Sequence, residues 1–107
     1  MAKPLKPTGN ETLEVRPNTI PHHATGDAGV IYFFGTGYHP NLWYEIHYLG
    51  FIDYKVADEH GKWDYGASAS RIPADEIGEI EATVNLRTDP PRHHPQVLAS
   101  ATFTVTA

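Results

Sequence analysis

The chain has 107 residues, no cysteine and a net charge of −5. That length suits one domain, and the missing cysteines exclude disulfide staples and thiol chemistry. Residues 1–27 balance three basic against three acidic side chains, so the whole deficit lies in residues 28–107. An acidic body is the wrong sign for tracking phosphates, which excludes a nucleic-acid partner.

In chain order, "MAKPLKPTGNE" has two lysines but no apolar core. It does not read as a signal peptide, and no apolar run in the chain is long enough to span a membrane. Pro4, Pro7, Pro17 and Pro21 remove donors and fix φ, so residues 1–27 are expected to form an extended arm. "TLEVR" (12–16) alternates and is a candidate first edge strand. "HHATGDAG" (22–29) reads as a turn-rich linker.

From Val30 onward the pattern is one of short strands. "VIYFF" (30–34) is an almost continuous apolar strand. "WYEIHYL" (43–49) gathers Tyr44, Ile46 and Tyr48 on one face, with Trp43, Glu45 and His47 on the other. "FIDYKVA" (51–57) gathers Ile52, Tyr54 and Val56, with Asp53 and Lys55 opposite. Gly50 sits at the tight joint between these two runs. "KWDYGA" (62–67) follows. "EIEATVNLR" (79–87) points Ile80, Ala82, Val84 and Leu86 inward, and "ASATFTVT" (99–106) does the same with Ala101, Phe103 and Val105. Such alternation marks strands with one packed and one solvated face. No segment carries a helical stripe, though "PADEIGE" (73–79) suits a single helical turn. The expectation is an all-β protein: an antiparallel two-sheet Ig-like sandwich of about seven strands, with its body at residues 28–107 and with the extended Pro-rich arm and the first edge strand in residues 1–27.

Several pieces then fall in a recognisable order: "GTGYHP" (35–40), a strand closing at Gly50, "ADEHGKWDY" (57–65), Ile72–Pro73 and a final "ASATFTVTA" (99–107). In that order they resemble a bacterial immunoglobulin-like domain. Such domains are repeated in surface proteins and also occur on tailed-phage virion proteins. The resemblance covers about three quarters of the chain, and the Ala-Asp-x-x-Gly-x-Trp element is its most specific part. It implies a binding or spacing module with an Ig-like β-sandwich and no family-wide catalytic residues. The local chemistry agrees. Asp58 can bond its own downstream backbone and Gly61 can take positive φ, so "DEHG" closes a turn and leaves Trp63 to cap the core.

The glycine pair in "FFGTGYHPNL" (33–42) lacks a third glycine, a following Gly-Lys-Ser/Thr and a helix to hold phosphate. It reads as a corner between strands. Ser68 and Ser70 in "GASAS" have no nucleophile-elbow context, and the acids are scattered, so no enzymatic activity is expected. The seven histidines are more informative. Alternate loops of a sandwich share an end. The connections at 35–42, 57–62 and 88–97 should therefore bring Tyr38, His39, His60, Arg92, His93 and His94 to one tip. That tip is read as a recognition surface. A metal there would need His and Asp or Glu converging from several loops, and neither a metal nor another cofactor is expected. Trp43, Tyr38 and Tyr32 are the aromatics expected outside the core.

A domain of surface type without a recognisable leader points to a tailed-phage virion protein, assembled in the host cytoplasm. The reading is a capsid decoration protein, or a tail or connector component, present in many copies or as a homo-oligomer. It would hold the major capsid protein or other virion proteins through arm residues Lys3, Pro4, Leu5, Lys6, Pro7, Leu13 and Val15. The alternative is an Ig-like adhesin or carbohydrate-binding module of a cell-surface protein.

Overall fold

The computed structural model of the chain describes residues 6–87 and 96–107. Among the described residues eight strands form two facing sheets. They are β1 (Thr12–Arg16), β2 (Thr19–Pro21), β3 (Val30–Thr36), β4 (Trp43–Tyr48), β5 (Phe51–Val56), β6 (Trp63–Ser68), β7 (Gly78–Leu86) and β8 (Ala99–Thr106). One sheet has the order β1-β3-β6 and the other β2-β8-β7-β4-β5. Among the described residues no α-helix forms; short 3-10 turns at Ala69–Arg71 and Ala74–Glu76 carry the chain from β6 to β7. The sandwich of about seven strands expected from the alternation is therefore present, with β2 as an additional short strand.

The alternating residues of β4, β7 and β8 meet those of β3 and β6 between the sheets. Phe33, Tyr44, Ile46, Val84 and Phe103 are essentially inaccessible. Phe33 is central: it stacks on Tyr48 at 5.4 Å and meets Phe103 edge-on at 5.9 Å. Trp63 is buried as expected. Its indole lies against Gly35, where a Cβ would overlap the ring, so only glycine fits that strand position.

Residues 12–16 form the edge strand expected from their alternation, and residues 19–21 add a second strand where only the arm was expected. The chain crosses from one sheet to the other at Arg16–Pro17, a cis peptide bond, and places a strand in each. β1 pairs with β3, while β2 runs parallel to β8, the one parallel pairing among the described residues. Val15 and Ile20 are core residues and Leu13 packs against the core. The sandwich therefore starts at Thr12 and not at residue 28. Leu13 and Val15 face the interior instead of a partner, because burying them is what holds both strands to the sheets.

Candidate functional site

The tip expected from the loops forms in part. The 35–42 connection and the 57–62 turn touch directly: the Tyr38 amide donates to the Gly61 carbonyl at 3.1 Å and the Asn41 amide to that of Ala57 at 3.0 Å. Asp58 organises the turn by accepting the amides of His60 and Lys62 at 2.8 and 3.0 Å. Those bonds, Lys62 first, hold its carboxyl below the usual range. His60 projects into solvent from this turn. His39 lies at the same end, its ring Nε2 donating to the Lys6 carbonyl at 2.6 Å and its amide to the Tyr44 hydroxyl at 3.1 Å.

Tyr38 is different. It is only 3% exposed, its hydroxyl donates to the Thr12 carbonyl at 2.9 Å, and its ring meets Tyr44 and Trp63 edge-on. Burial first, then the nearby carboxylate of Glu11, pushes its hydroxyl pKa far up. Tyr38 is a core residue, because the turn at 57–62 folds over it. Arg92, His93 and His94 lie outside the described residues, as do Lys3, Pro4 and Leu5. Among the described residues no three His, Asp or Glu side chains gather where a metal ion could sit.

Residues 6–11 lie along this tip. The Thr8 hydroxyl donates to the Gly37 carbonyl, and Glu11 accepts the amides of Thr8 and Gly9. Burial pushes the Glu11 carboxyl up, but those amides outweigh it and its pKa ends lowered. Lys6 and Pro7 are therefore held near their own domain through the Lys6 carbonyl.

A second surface lies on the outward face of β4, β5 and β7, of which the sequence points only to Trp43. Ile52, Tyr54 and Val56 do share a face, but it is the solvent face: they are 46, 44 and 41% exposed. The cause is the hairpin. Leu49 and Gly50 both take positive φ (50° and 81°), as a two-residue type I′ turn requires, and this pairs Tyr48 with Phe51. Tyr48 points into the core, so its cross-strand partner Phe51 does too, and Asp53 and Lys55 follow it. The inward carboxylate is met by Arg71, which donates to Asp53 at 2.8 Å, to the Tyr48 hydroxyl at 3.1 Å and to the Tyr65 hydroxyl at 3.3 Å. Its guanidinium lies over the Phe51 ring, 4.1 Å from the centroid.

On the solvent side, Trp43 is 50% exposed and sits across from Val56. Tyr54 lies beneath the Arg87 guanidinium, 4.6 Å from its ring centroid. Beside them Glu45 accepts from Asn85 Nδ2 at 3.0 Å and from His47 Nε2 at 2.8 Å. The result is a row of aromatic and aliphatic side chains flanked by fixed polar groups. Planar aromatic faces next to amide and carboxylate groups can stack on a sugar ring or anchor a protein partner. Trp43 and Tyr32 are exposed as anticipated, Tyr32 on the other sheet beside Phe34.

No family model and no curated protein matches this chain. Two solved structures are similar. One is a bacterial immunoglobulin-like domain from the M. primoryensis ice-binding adhesin, with a TM-score of 0.58 and 20% identity, covering 94% of this chain and 100% of that one. The other is a Ca2+-stabilized adhesin with which an Antarctic bacterium binds ice, with a TM-score of 0.59 and 19% identity over 92% of this chain. This chain spans 24% of that second structure's length. Two sheets, eight strands and this likeness agree on one point: the chain has the fold of a bacterial immunoglobulin-like domain.

Proposed function

We propose that this chain is a non-enzymatic binding module of a bacterial surface adhesin, and that it binds through the outward face of β4, β5 and β7. The observation that carries the reading is the half-exposed row of Trp43, Tyr54 and Val56 on a rigid sheet, next to the Glu45–Asn85–His47 network. Aromatic groups on strands lose little entropy on binding and bury much area, so they serve as anchors. The adhesin setting draws support from the fold neighbours, both from an adhesin. A glycan is the favoured ligand class, because planar rings and paired hydrogen-bonding groups lie side by side.

The test is binding of the purified chain to a glycan microarray, repeated with Trp43→Ala and Tyr54→Ala. Each variant should weaken binding by at least about tenfold, the loss of one hot-spot contact. Retained binding in the double variant would remove this face as the recognition surface.

A capsid decoration protein is the second reading, with the major capsid protein or another virion protein as partner. It draws on residues 6–11, which form a defined strap at the tip. A strap bonded to its own domain is less available to a neighbouring subunit, and neither fold neighbour is a virion protein. Support therefore lies with the adhesin reading.

A further inference from the structure

β5 ends the five-stranded sheet, and among the described residues no strand pairs with its outer edge. Which backbone groups line that edge follows from the hairpin. Tyr48 and Phe51 flank the two-residue turn and form a hydrogen-bonded pair, and such pairs alternate along an antiparallel ladder. Phe51, Asp53 and Lys55 therefore direct their N–H and C=O toward β4. Ala57 keeps the same phase, its amide donating to the Leu42 carbonyl at 2.9 Å. The amides and carbonyls of Ile52, Tyr54 and Val56 point the other way, along the free edge. These are also the three residues whose side chains are exposed and apolar. A free edge with an exposed apolar row is a template for another strand.

We propose that the occupant of this edge is a second copy of the chain, with β5 pairing antiparallel to β5 about a two-fold axis at Tyr54. The side chains select this register. Centred on Tyr54, Ile52 meets Val56 of the other copy, Tyr54 meets Tyr54, and Asp53 meets Lys55 in both directions. Lys55 has no ion-pair partner among the described residues, while Asp53 already accepts Arg71, so the pair extends to Lys–Asp–Arg. A shift by two residues along the partner strand sets Asp53 against Asp53 or Lys55 against Lys55, which is unfavourable. A shift by one turns the apolar row of one copy to the other face. Only the Tyr54-centred register satisfies the hydrogen bonds, the apolar row and the charges together. The two five-stranded sheets become continuous, and the two exposed aromatic rows lie side by side on one surface. This association stands independently of what that surface recognises.

Sedimentation of the full chain over about 1 µM to 1 mM, the range of weak to moderate association, tests it first. A concentration-dependent monomer–dimer shift is expected, and a monomer throughout overturns the proposal. Lys55→Glu places like charges opposite each other twice per dimer, so the dimer dissociation constant should rise at least about tenfold. An unchanged constant, in a variant whose thermal melt shows it folded, overturns the edge pairing. The register is read separately by cross-linking, which is clean because the chain has no cysteine. Under copper–phenanthroline oxidation, Tyr54→Cys should link to itself. Ile52→Cys and Val56→Cys should each stay unlinked, since like positions lie about 13 Å apart along the strand. Mixed, those two should link to each other. Self-linking of Ile52→Cys without linking of the mixture would overturn the register.

Discussion

Single residues reveal how far local chemistry decides this fold. Asp58 does in the structure what its sequence context implies, bonding two downstream amides and closing the turn at Gly61, whose φ is 74°. Tyr38 does not follow its context. Set among glycines, a histidine and a proline, it looks like a loop residue, yet it is packed between Tyr44 and Trp63. Its burial, with that of Tyr48, has a consequence for alkaline stability. Burial pushes the Tyr48 hydroxyl up to about 12 and that of Tyr38 further still. Unfolded tyrosines ionise near pH 10, to an order of magnitude in proton affinity. Each tyrosine then holds its proton longer in the folded chain than in the unfolded one, so stability is full below pH 10 and falls as pH rises above it. Chemical denaturation should give a flat midpoint from neutral pH to about 10 and a steady decline from there to about 12. Tyr48→Phe should make that decline shallower; an equal decline would mean Tyr48 does not carry it.

At the level of elements, the β4–β5 hairpin is the most informative. Alternation correctly groups Ile52, Tyr54 and Val56, but grouping does not say which face packs. Two side chains settle it: Tyr48, which is committed to the core, and Arg71, which reaches in from the turn after β6 to neutralise Asp53. Arg71 is 23 residues from Tyr48 and 18 from Asp53 along the chain, so no local pattern links them. Arg71→Ala removes three hydrogen bonds and the contact with Phe51, and leaves Asp53 facing the interior without its cation. The expected cost is about 1–2 kcal/mol in a urea titration, since the pair is partly buried and water can reach the charge left behind. The double variant Arg71→Ala with Asp53→Ala should recover part of that loss. A cost near zero for Arg71→Ala would mean that hairpin packing alone sets the inward face of β5.

For the whole molecule, the N-terminal region shows what assembly of the two sheets adds. Its sequence suggests an extended arm with one edge strand, and the structure adds β2, so that the segment contributes a strand to each sheet. Removing residues 1–10 should leave a cooperative thermal transition, because the bonds lost are those of the strap at the tip. Removing residues 1–27 takes away Val15 and Ile20 and exposes the core residues beneath them. Full burial of such side chains contributes about 2–3 kcal/mol each, a large part of a total of about 5–15 kcal/mol, so this longer truncation should show no cooperative transition. Circular dichroism melts of the two truncations check both expectations, and a folded longer truncation would place β1 and β2 outside the stable unit.

The class of fold, the positions of most strands and the turns that join them follow from the amino-acid sequence alone. Those features are written in short-range terms: period-2 alternation in "EIEATVNLR" and "ASATFTVT", glycine where φ must be positive, and an aspartate that caps its own turn. The placing of His39 and His60 at one end follows too, since alternate loops of a sandwich must share one. Long-range packing, by contrast, is what makes Tyr38 core, adds residues 19–21 to a sheet and turns the apolar row of β5 to water. Each of these depends on a partner distant in the chain: the 57–62 turn over Tyr38, β8 for β2, Arg71 for β5. Alternation gives a strand two faces but no direction to the core. That direction exists only once a second layer is present to bury one of them.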